Sequence, residues 1–251
     1  MQEEQNQTQE QDTPQWSEEN SQLFIDYGRY FVPEREMQID IVCGLIPVVA
    51  GEQHVLDLCC GEGLLTQAIL ERFPAYHVHA FDGSDVMLAR VQQRCSSYSQ
   101  RLHTQRFQLE DTSWRNVSYP VRAVVSSLSV HHLDDAQKWQ LFRDIRRMLA
   151  PGGVFMLADI LQPVTPLGVQ VAAKMWDDEV RRRAMELDGH LEGYQHFLDE
   201  QWNSFTLPEP DPFDKMSPLF TQLKWLEEVG FTDIDVYWMK AGQAIFGGQK
   251  R

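Results

Sequence analysis

The sequence predicts an α/β fold in which a mostly parallel sheet carries helices on both faces. Short apolar segments that end in a polar residue recur in the first part of the chain, with amphipathic segments between them. This alternation is typical of parallel strands joined by helical crossovers. Apolar and polar residues alternate in segments 231–238 and 243–246, which lie on either side of Ala241-Gly242. This pattern predicts a closing antiparallel hairpin. Five segments of the first kind and this hairpin together predict seven strands.

The first predicted strand, 55–58, runs directly into a glycine turn. It is apolar except for Asp57, and Gly61 and Gly63 precede a segment whose apolar residues have helical spacing. Glycine allows the backbone to approach a ligand closely, as it does in turns that bind nucleotides. A tight strand-to-helix turn without a ligand explains the two glycines equally well, so the turn is informative only together with the next strand.

The second predicted strand, 76–81, ends at Asp82, and Ser84 is placed to cap a helix that begins at Asp85. An acidic residue about 20 residues after a glycine turn is where an α/β sheet binds the hydroxyls of a ribose. The alternative is an ordinary surface aspartate at a strand end. With the glycine turn before it, Asp82 favours a ligand that contains a nucleoside.

The next three predicted strands also end in polar residues. Segment 104–109 ends in Glu110-Asp111, segment 121–127 precedes His131-His132, and segment 154–158 ends in Asp159. The carboxyl ends of parallel strands meet at one edge of a sheet. We therefore expect these polar residues near the glycine turn.

Helices are predicted before, between and after the strands. Two aromatic-rich helices, about 16–31 and 34–49, precede the first strand. A helix that begins at Asp134 or Asp135 is expected to include Leu149 in its apolar stripe and to stop before 151–153. The last helix has Ser217 as its N-cap with Pro218 in its first turn. An insertion between the fifth strand and this last helix holds two more helices, about 169–187 and 191–205. Its place at the carboxyl edge of the sheet predicts a substrate lid.

These segments resemble the class I S-adenosylmethionine-dependent methyltransferases over roughly residues 50–160 and in the terminal hairpin. The small-molecule branch of that family is the best match, because the exit of the fourth strand reads His131-His132-Leu133-Asp134. Cys59 departs from the family pattern, which has glycine two residues after the acid of the first strand. The resemblance implies a Rossmann-like seven-stranded sheet, S-adenosylmethionine as the methyl donor, a small-molecule methyl acceptor, and in-line transfer without a metal.

The resemblance also implies which residues bind the cofactor. Asp57 and the Gly61–Gly63 turn would hold its methionine end, Asp82 its ribose, Met87 the adenine face and Asp111 the exocyclic amine. The complete predicted cofactor set is Tyr27, Arg35, Asp57, Cys59, Gly61, Gly63, Asp82, Gly83, Ser84, Met87, Glu110, Asp111, Thr112 and Ser127.

The acceptor side of the site is predicted from histidines and aromatic residues. His131 is the candidate general base, because imidazole titrates near neutral pH, while His132 is more simply a helix cap. The predicted substrate-contacting residues are His131, Trp176, Tyr194 and Trp202. Aromatic packing within the lid explains the two tryptophans equally well, and no residue pattern chooses between O-, N-, S- and C-methylation.

Composition bounds the class of protein. A formal charge of −15 disfavours binding to nucleic acid, and four cysteines without paired spacing do not predict a zinc site. Residues 1–15 are almost entirely polar, so we expect a disordered tip followed by a single domain, 16–251, with 163–216 as the lid. Without a stretch of about 20 apolar residues, the chain is expected to be soluble and cytoplasmic, as a monomer or homodimer.

Two other functions fit part of the pattern. An NAD-dependent oxidoreductase shares the strand, the glycine turn and the ribose acid, but it predicts a third glycine where this chain has Thr66. A non-catalytic scaffold that binds S-adenosylmethionine would keep the same cofactor residues. Release of S-adenosylhomocysteine with an acceptor separates an enzyme from such a scaffold.

Overall fold

The computed structural model describes residues 16–209 and 211–251, so the predicted disordered tip, 1–15, lies outside the described residues. The strands of the described chain are β1 (Gln53–Leu58), β2 (Tyr76–Asp82), β3 (Leu102–Arg106), β4 (Val121–Ser127), β5 (Leu149–Ile160), β6 (Thr232–Lys240) and β7 (Gln243–Gln249). They form one sheet in the order β3-β2-β1-β4-β5-β7-β6, in which β7 runs antiparallel to both neighbours. The predicted Rossmann-like sheet with a terminal hairpin is confirmed.

Helices cover both faces of this sheet. They are α1 (Glu18–Phe31), α2 (Arg35–Leu45), α3 (Leu64–Arg72), α4 (Asp85–Arg94), α5 (Asp135–Met148), α6 (Pro166–Asp188), α7 (Glu192–Asp199) and α8 (Leu219–Glu228). Apolar residues of α2, α3 and α4 pack in one core cluster with the sheet, and those of α5 and α8 pack in a second. Neighbours of β1 are β2 on one side and β4 on the other, so the chain reverses direction there. Ligands of such sheets bind at that switch point.

The third predicted strand is displaced along the chain. It was expected at 104–109, but β3 ends at Arg106, and the Phe107 amide donates to the Asp82 carbonyl just past the last pair of the ladder. Phe107 and Leu109 are apolar because they pack in the core beneath Trp114, not because they extend the strand. The prediction of a strand over 107–109 is therefore wrong, because the apolar residues there belong to a buried loop.

Two helix termini also differ from prediction. Helix α5 does have Asp134 as its N-cap, but it ends at Met148, and Leu149, which was predicted to be helical, is the first residue of β5. The N-cap of α8 is Pro218 rather than Ser217. The Ser217 hydroxyl instead accepts from Lys138 Nζ at 2.6 Å and donates to Asp135 at 2.6 Å. A tertiary partner here displaces the local cap that the sequence favours.

Helices α6 and α7 lie in the insertion between β5 and α8, as predicted. They share a third core cluster with α1, in which Phe31, Trp176 and Phe197 are buried. The insertion therefore packs on the N-terminal helix. Within the described residues, none of the helices combines the length and the apolar character needed to cross a membrane.

Candidate functional site

A cavity of about 540 Å³ lies at the carboxyl edge of the sheet, where β1, β2 and β4 end. Its volume is in the range of about 300–1,000 Å³ typical of small-molecule sites. The predicted site residues that line it are Arg35, Asp57, Cys59, Gly61, Asp82, Gly83, Ser84, Met87, Glu110, Asp111 and Ser127. The fold thus brings most of the predicted cofactor set to one place.

Three residues of the turn after β1 have left-handed backbone conformations. These are Cys59 (φ 53°), Gly61 (φ 53°) and Gly63 (φ 85°). A Cβ on Gly63 would lie 3.0 Å from a methyl of Val91 on α4, whereas one on Gly61 would meet nothing within 4 Å. Gly63 therefore allows α3 and α4 to pack closely, while Gly61 leaves an open backbone surface at the cavity. Cys59 has this left-handed conformation although it is not a glycine, and the conformation costs a non-glycine residue about 1 kcal/mol or more.

Asp57 lies at the base of this turn and is almost fully buried. It accepts a hydrogen bond of 2.6 Å from the hydroxyl of Thr66, which stands where a dinucleotide turn has its third glycine. Burial raises the pKa of Asp57 to about 7, although the Thr66 hydroxyl opposes the shift. The Asp57–Thr66 bond joins β1 to α3 directly beneath the cavity.

The Asp82 carboxylate is oriented by backbone amides. One oxygen accepts from Gly61 N at 2.9 Å and the other from Ser84 N at 2.9 Å. Burial raises the pKa of Asp82, and these amide bonds oppose that effect. The ends of β1 and β2 are thus joined through one carboxylate that faces the cavity, in a pre-organised arrangement for accepting ligand hydroxyls.

Helix α1 is attached to the amino end of α4 by Glu18, which the sequence did not single out. Its carboxylate accepts from the Ser84 hydroxyl at 2.5 Å and from Asp85 N at 2.9 Å. The Ser84 hydroxyl lowers the pKa of Glu18. A carboxylate at a helix amino end is stabilised by the helix dipole. These bonds hold α1 across the mouth of the cavity.

Two arginines share one carboxylate beside the glycine turn. Glu62 lies 2.6 Å from Arg94 Nη2 and 3.5 Å from Arg35 Nη1. Arg35 lines the cavity, its guanidinium lies 5.4 Å from the centre of the Phe24 ring, and burial lowers its pKa. One carboxylate neutralises only one of the two guanidinium charges, so the cavity wall at Arg35 favours an anionic ligand group.

The opposite wall is apolar with an acidic rim. Met87, Phe107 and Leu109 are buried side chains that face the cavity, and Glu110 and Asp111 are exposed at its edge. Such a slot suits a flat aromatic ring whose polar edge reaches solvent. Thr112, the next predicted residue, lies outside the lining.

The exit of β4 forms the remaining side of the cavity. Leu128 has a left-handed conformation (φ 55°), which is strained for a residue with a branched side chain. Ser127, Leu128 and Ser129 line the cavity, and so does His132.

The two histidines after β4 have different surroundings. His131 is buried behind the cavity wall, and its Nδ1 donates to Asp159 of β5 at 2.5 Å. Burial disfavours the charged form of His131, but the Asp159 carboxylate outweighs this and raises the pKa of the ring. Burial lowers the pKa of His132 to about 4, and its neighbour His131 adds to the effect. Asp214 lies 3.5 Å from His131 Nε2 and 3.2 Å from His132 Nδ1.

Seven predicted residues do not line the cavity: Tyr27, Gly63, Thr112, His131, Trp176, Tyr194 and Trp202. Trp176 donates its indole N–H to the Phe31 carbonyl at 2.7 Å inside the third core cluster. Tyr194 is half-buried in the same cluster, and Tyr27 stacks on His196 with ring centroids 3.7 Å apart. Their packing joins α1 to the inserted helices.

Sequence reasoning missed an aromatic group in the wall of the cavity. Trp16, Phe24 and Phe213 line the cavity, and the Trp16 ring lies about 6 Å from each of Phe24, Phe213 and His132. Trp202 stands behind them, with its ring centroid 6.2 Å from that of Trp16. The apolar spacing of 16–31 indicated a buried helix face, but no local signal connects it with residue 213.

The fold and the position of the cavity are typical of proteins that bind a nucleoside-containing cofactor at the switch point of an α/β sheet. A family profile described as a methyltransferase domain matches residues 55–153. A trans-aconitate 2-methyltransferase of Acidovorax sp. (strain JS42) is 30% identical over 136 residues, covering 53% of this chain and 49% of that protein. A malonyl-[acyl-carrier protein] O-methyltransferase of Halorhodospira halophila is 30% identical over 132 residues, covering 53% and 43%.

Among solved structures, an O-methyltransferase family protein from Burkholderia thailandensis superposes with a TM-score of 0.63. It is 14% identical and covers 92% of this chain and 59% of its own, so the likeness shows the fold. The chain spans about half the length of the curated relatives it matches. Residues 55–153 are therefore similar to a methyltransferase domain, and the sheet order is that of the class I S-adenosylmethionine-dependent methyltransferases.

Proposed function

We propose that this protein transfers a methyl group from S-adenosylmethionine to a small-molecule acceptor bound in the cavity. The observation that carries the proposal is the composition of the cavity wall. A pre-organised ribose acid, Asp82, and an open glycine backbone lie on one side, and an aromatic enclosure around Trp16 and Phe213 lies on the other. A donor and an acceptor can therefore occupy one cavity.

Adenosine would occupy the wall formed by β2 and the loop after β3. Asp82 accepts hydrogen bonds from the ribose hydroxyls, and Met87 contacts the adenine face in a slot shared with Leu109. Asp111 is exposed at the rim of the cavity, where the exocyclic amine of adenine would lie. Glu110, Thr112 and Gly83 support this loop and turn. The burial of Met87 and the backbone bonds of Asp82 support the assignment.

The methionine end would lie against the turn after β1. Its carboxylate fits the guanidinium of Arg35, because Arg35 shares the charge of Glu62 with Arg94. The open backbone at Gly61 and the side of Cys59 provide the surface along which the chain of the methionine runs. Ser127, at the end of β4, lies on the way to the acceptor side.

The acceptor would lie among Trp16, Phe24, Phe213, Leu128 and His132. Transfer from a sulfonium is an in-line displacement, so most of the catalysis comes from alignment in a site closed to water. Helix α1 and the segment around Phe213 both cover this side, which supports the role of residues 163–216 as a lid within one domain, 16–251. The trans-aconitate in the name of one relative and the malonyl group, bound to acyl-carrier protein, in the name of another favour an acceptor with a carboxylic acid group.

The predicted substrate residues have modified roles in this proposal. His131 lies behind His132, so we place His132 at the acceptor and His131 in support of it. Trp202 supports the ring of Trp16 from behind, and Trp176 and Tyr194 hold the lid to α1. No hydrogen bond or charge at these three residues favours direct contact with an acceptor over this packing role.

Calorimetric titration with S-adenosylhomocysteine tests the cofactor, with NADH as the comparison ligand. We expect micromolar binding of the former, about −8 kcal/mol, and none of the latter. Asp82→Ala should weaken binding by about 1.5–3 kcal/mol, the range for lost charge-assisted hydrogen bonds. Asp85→Ala is the matched control, since Asp85 is a neighbouring exposed acid that pairs with Arg106 outside the cavity. Unchanged affinity in a folded Asp82→Ala protein would exclude the ribose assignment.

Turnover separates the enzyme from a scaffold. Release of S-adenosylhomocysteine is followed with a panel of small carboxylic acids, phenols and amines. If the protein methylates a member of the panel, Phe213→Ala should lower that turnover without changing cofactor binding. This result would support the placement of the acceptor beside Phe213. Cofactor binding without turnover on the whole panel would favour a non-catalytic protein.

A further inference from the structure

Behind the acceptor side of the cavity, four titratable side chains from three distant parts of the chain meet. His131 and His132 follow β4, Asp159 is the last residue but one of β5, and Asp214 lies between the inserted helices and α8. One ring nitrogen of His131, one of His132 and an Asp214 oxygen all lie within 4.8 Å of one another. Because His132 lines the cavity, this cluster forms part of the cavity wall.

The hydrogen-bond directions leave unpaired acceptor atoms at the centre of the cluster. Nδ1 of His131 donates to Asp159, so in the neutral ring the lone pair is on Nε2, which faces Asp214 at 3.5 Å. Nδ1 of His132 is 3.2 Å from the same oxygen, yet it is buried and makes no hydrogen bond of good geometry to any described residue. Buried polar atoms normally have partners. Nδ1 of His132, Nε2 of His131 and the Asp214 oxygen therefore converge on one point, where a bound cation would give the unpartnered His132 nitrogen a partner.

No protein cation fills this position in the described part of the chain. Lys138 is buried nearby, but its ammonium donates to the Ser217 hydroxyl at 2.6 Å and to the Lys215 carbonyl. The carboxylates of Asp159 and Asp214 thus face the two histidine rings without an ammonium or guanidinium in contact. A bound divalent ion would stabilise the Asp214 carboxylate in this partly buried position.

The separations suit a tetrahedral metal site. Two ligand atoms about 2.0–2.1 Å from a zinc ion are about 3.3 Å apart in tetrahedral geometry. The Asp214 oxygen is 3.2 Å and 3.5 Å from the two histidine nitrogens. Histidine ligands of metals commonly donate their other ring N–H to a carboxylate, and the Asp159–His131 bond has this form. Two histidines and a carboxylate are a set that transition metals prefer over magnesium or calcium.

The segment that carries Asp214 is held in place independently of the cluster. The Lys215 amide donates to the His131 carbonyl at 2.8 Å, and Ser217 is bound by Lys138 and by the Gln162 amide. A ligand set of this kind is pre-organised rather than assembled by the ion. The sequence gives no hint of it, because the two histidines are adjacent and Asp214 is far away along the chain.

We propose that His131, His132 and Asp214 bind a divalent transition-metal ion of the zinc type in the wall of the cavity. Three protein ligands leave a coordination position open, as in catalytic rather than structural zinc sites. On the proposed function, that position would take an oxygen of the methyl acceptor. The acceptor class is then a small molecule with a hydroxyl or carboxylate close to the methylated atom.

Cobalt(II) titration of metal-free protein tests the site, because cobalt in a zinc-type site has visible absorption. We expect equimolar binding that zinc displaces and magnesium does not. Asp214→Asn and His132→Gln should each weaken it at least about 100-fold, and Asp159→Asn about 10- to 100-fold as a change beyond the ligands. Asp214→Asn is the main variant because it keeps the shape of a partly exposed side chain, and far-UV circular dichroism checks its fold.

Matched controls use histidines elsewhere in the chain. His77→Gln alters a group of histidines on the sheet, and His190→Gln alters an exposed one between α6 and α7. Both should bind cobalt as the unchanged protein does. No visible band, equal affinity in Asp214→Asn, or loss in His77→Gln instead would each overturn the proposal.

The same metal-free protein is titrated with S-adenosylhomocysteine. Cofactor binding without a cobalt band would reject the metal site and leave the proposed function standing. A cobalt band without cofactor binding would do the opposite.

Discussion

Two groups of histidines in this molecule have similar contacts between rings but opposite charge surroundings. The pair after β4 contacts two carboxylates, Asp159 and Asp214. A second group, the sheet histidines, is formed by His54, His77, His79 and His103 on β1, β2 and β3. His54 Nδ1 and His79 Nε2 are 3.0 Å apart, as are His77 Nδ1 and His103 Nε2. Cross-strand register produces this group, because the four residues are neighbours on adjacent strands.

The difference shows that the surroundings, not the residue type, decide which form of histidine the fold prefers. Among the sheet histidines, burial lowers the pKa of His79 to about 3, and the charges of His103, His54 and His77 act in the same direction. The only carboxylate within ion-pair distance in the described chain is the exposed Glu52, 3.6 Å from His54 and His77. His54, His79 and His103 therefore favour the neutral form, whereas the Asp159 carboxylate raises the pKa of His131.

The largest effect on the free energy of unfolding is expected from removing the Asp159 carboxylate, which contacts His131 in the pair after β4. Asp159→Ala leaves the His131 ring buried without its hydrogen-bond acceptor, and breaking a buried pair costs about 3–5 kcal/mol. We expect the free energy of unfolding in urea to fall by about 3 kcal/mol in the presence of a chelator. Asp235→Ala, an exposed aspartate of β6, is the control and should change it little. Equal stability of the two variants would remove the contrast between the histidine groups.

A medium effect is expected from the sheet histidines at acidic pH. The unfolded His79 titrates near pH 6.5 and the folded one near pH 3, so between these values the unfolded chain binds more protons. Stability is therefore complete above pH 6.5 and is lost as the pH falls toward 3. His79→Gln removes this contribution. Because His79 is partly exposed, we expect the loss between pH 6.5 and pH 4.5 to shrink by only about 1–2 kcal/mol.

Urea unfolding across that pH range measures the effect of His79→Gln. The unchanged protein and His190→Gln, whose ring is exposed and remote from the sheet, serve as references. Parallel curves for all three proteins would mean that His79 has an ordinary pKa in the folded state.

The smallest effect is expected at the edge of the group. His103 is exposed on β3, so His103→Gln should change the free energy of unfolding at pH 7 by less than about 0.5 kcal/mol. At pH 5 it should slightly increase the melting temperature, since burial lowers the pKa of His103 in the folded protein, so the unfolded chain binds a proton there more readily. A lower melting temperature at pH 5 would show that stacking of His103, rather than charge, governs its contribution.

Prediction from the sequence succeeded where local chemistry decides the structure. The turn with Gly61 and Gly63, the Ser84 cap and the Asp134 cap all depend on residues close together in the chain. It failed where a distant partner competes, as at Ser217, which binds Lys138 instead of capping α8. The shift of β3 has the same origin, because Phe107 is apolar for packing against Trp114.

The same difference between local patterns and distant partners applies to the candidate site. Its proposed cofactor half comes from strand ends, and the polarity of each strand end is visible in the sequence. Asp82, the proposed ribose ligand, is the clearest example. The acceptor half is assembled by Trp16, Phe213 and Asp214, which belong to segments that no local pattern joins. His132 rather than His131 lines the cavity, because the His131 ring is hydrogen-bonded to Asp159. That contact joins the exit of β4 to its neighbour β5.

By itself, the sequence determined the α/β class, the seven strands with their closing hairpin, the glycine turn and the acids at the strand ends. These follow from apolar periodicity and from backbone conformations that only certain residues adopt readily. Only the tertiary structure decided what closes the cavity, which histidine faces it, and where Asp159 and Asp214 meet the two rings. Those features depend on contacts between residues far apart in the chain, whose pairing is set by packing of the whole core and carries no local pattern.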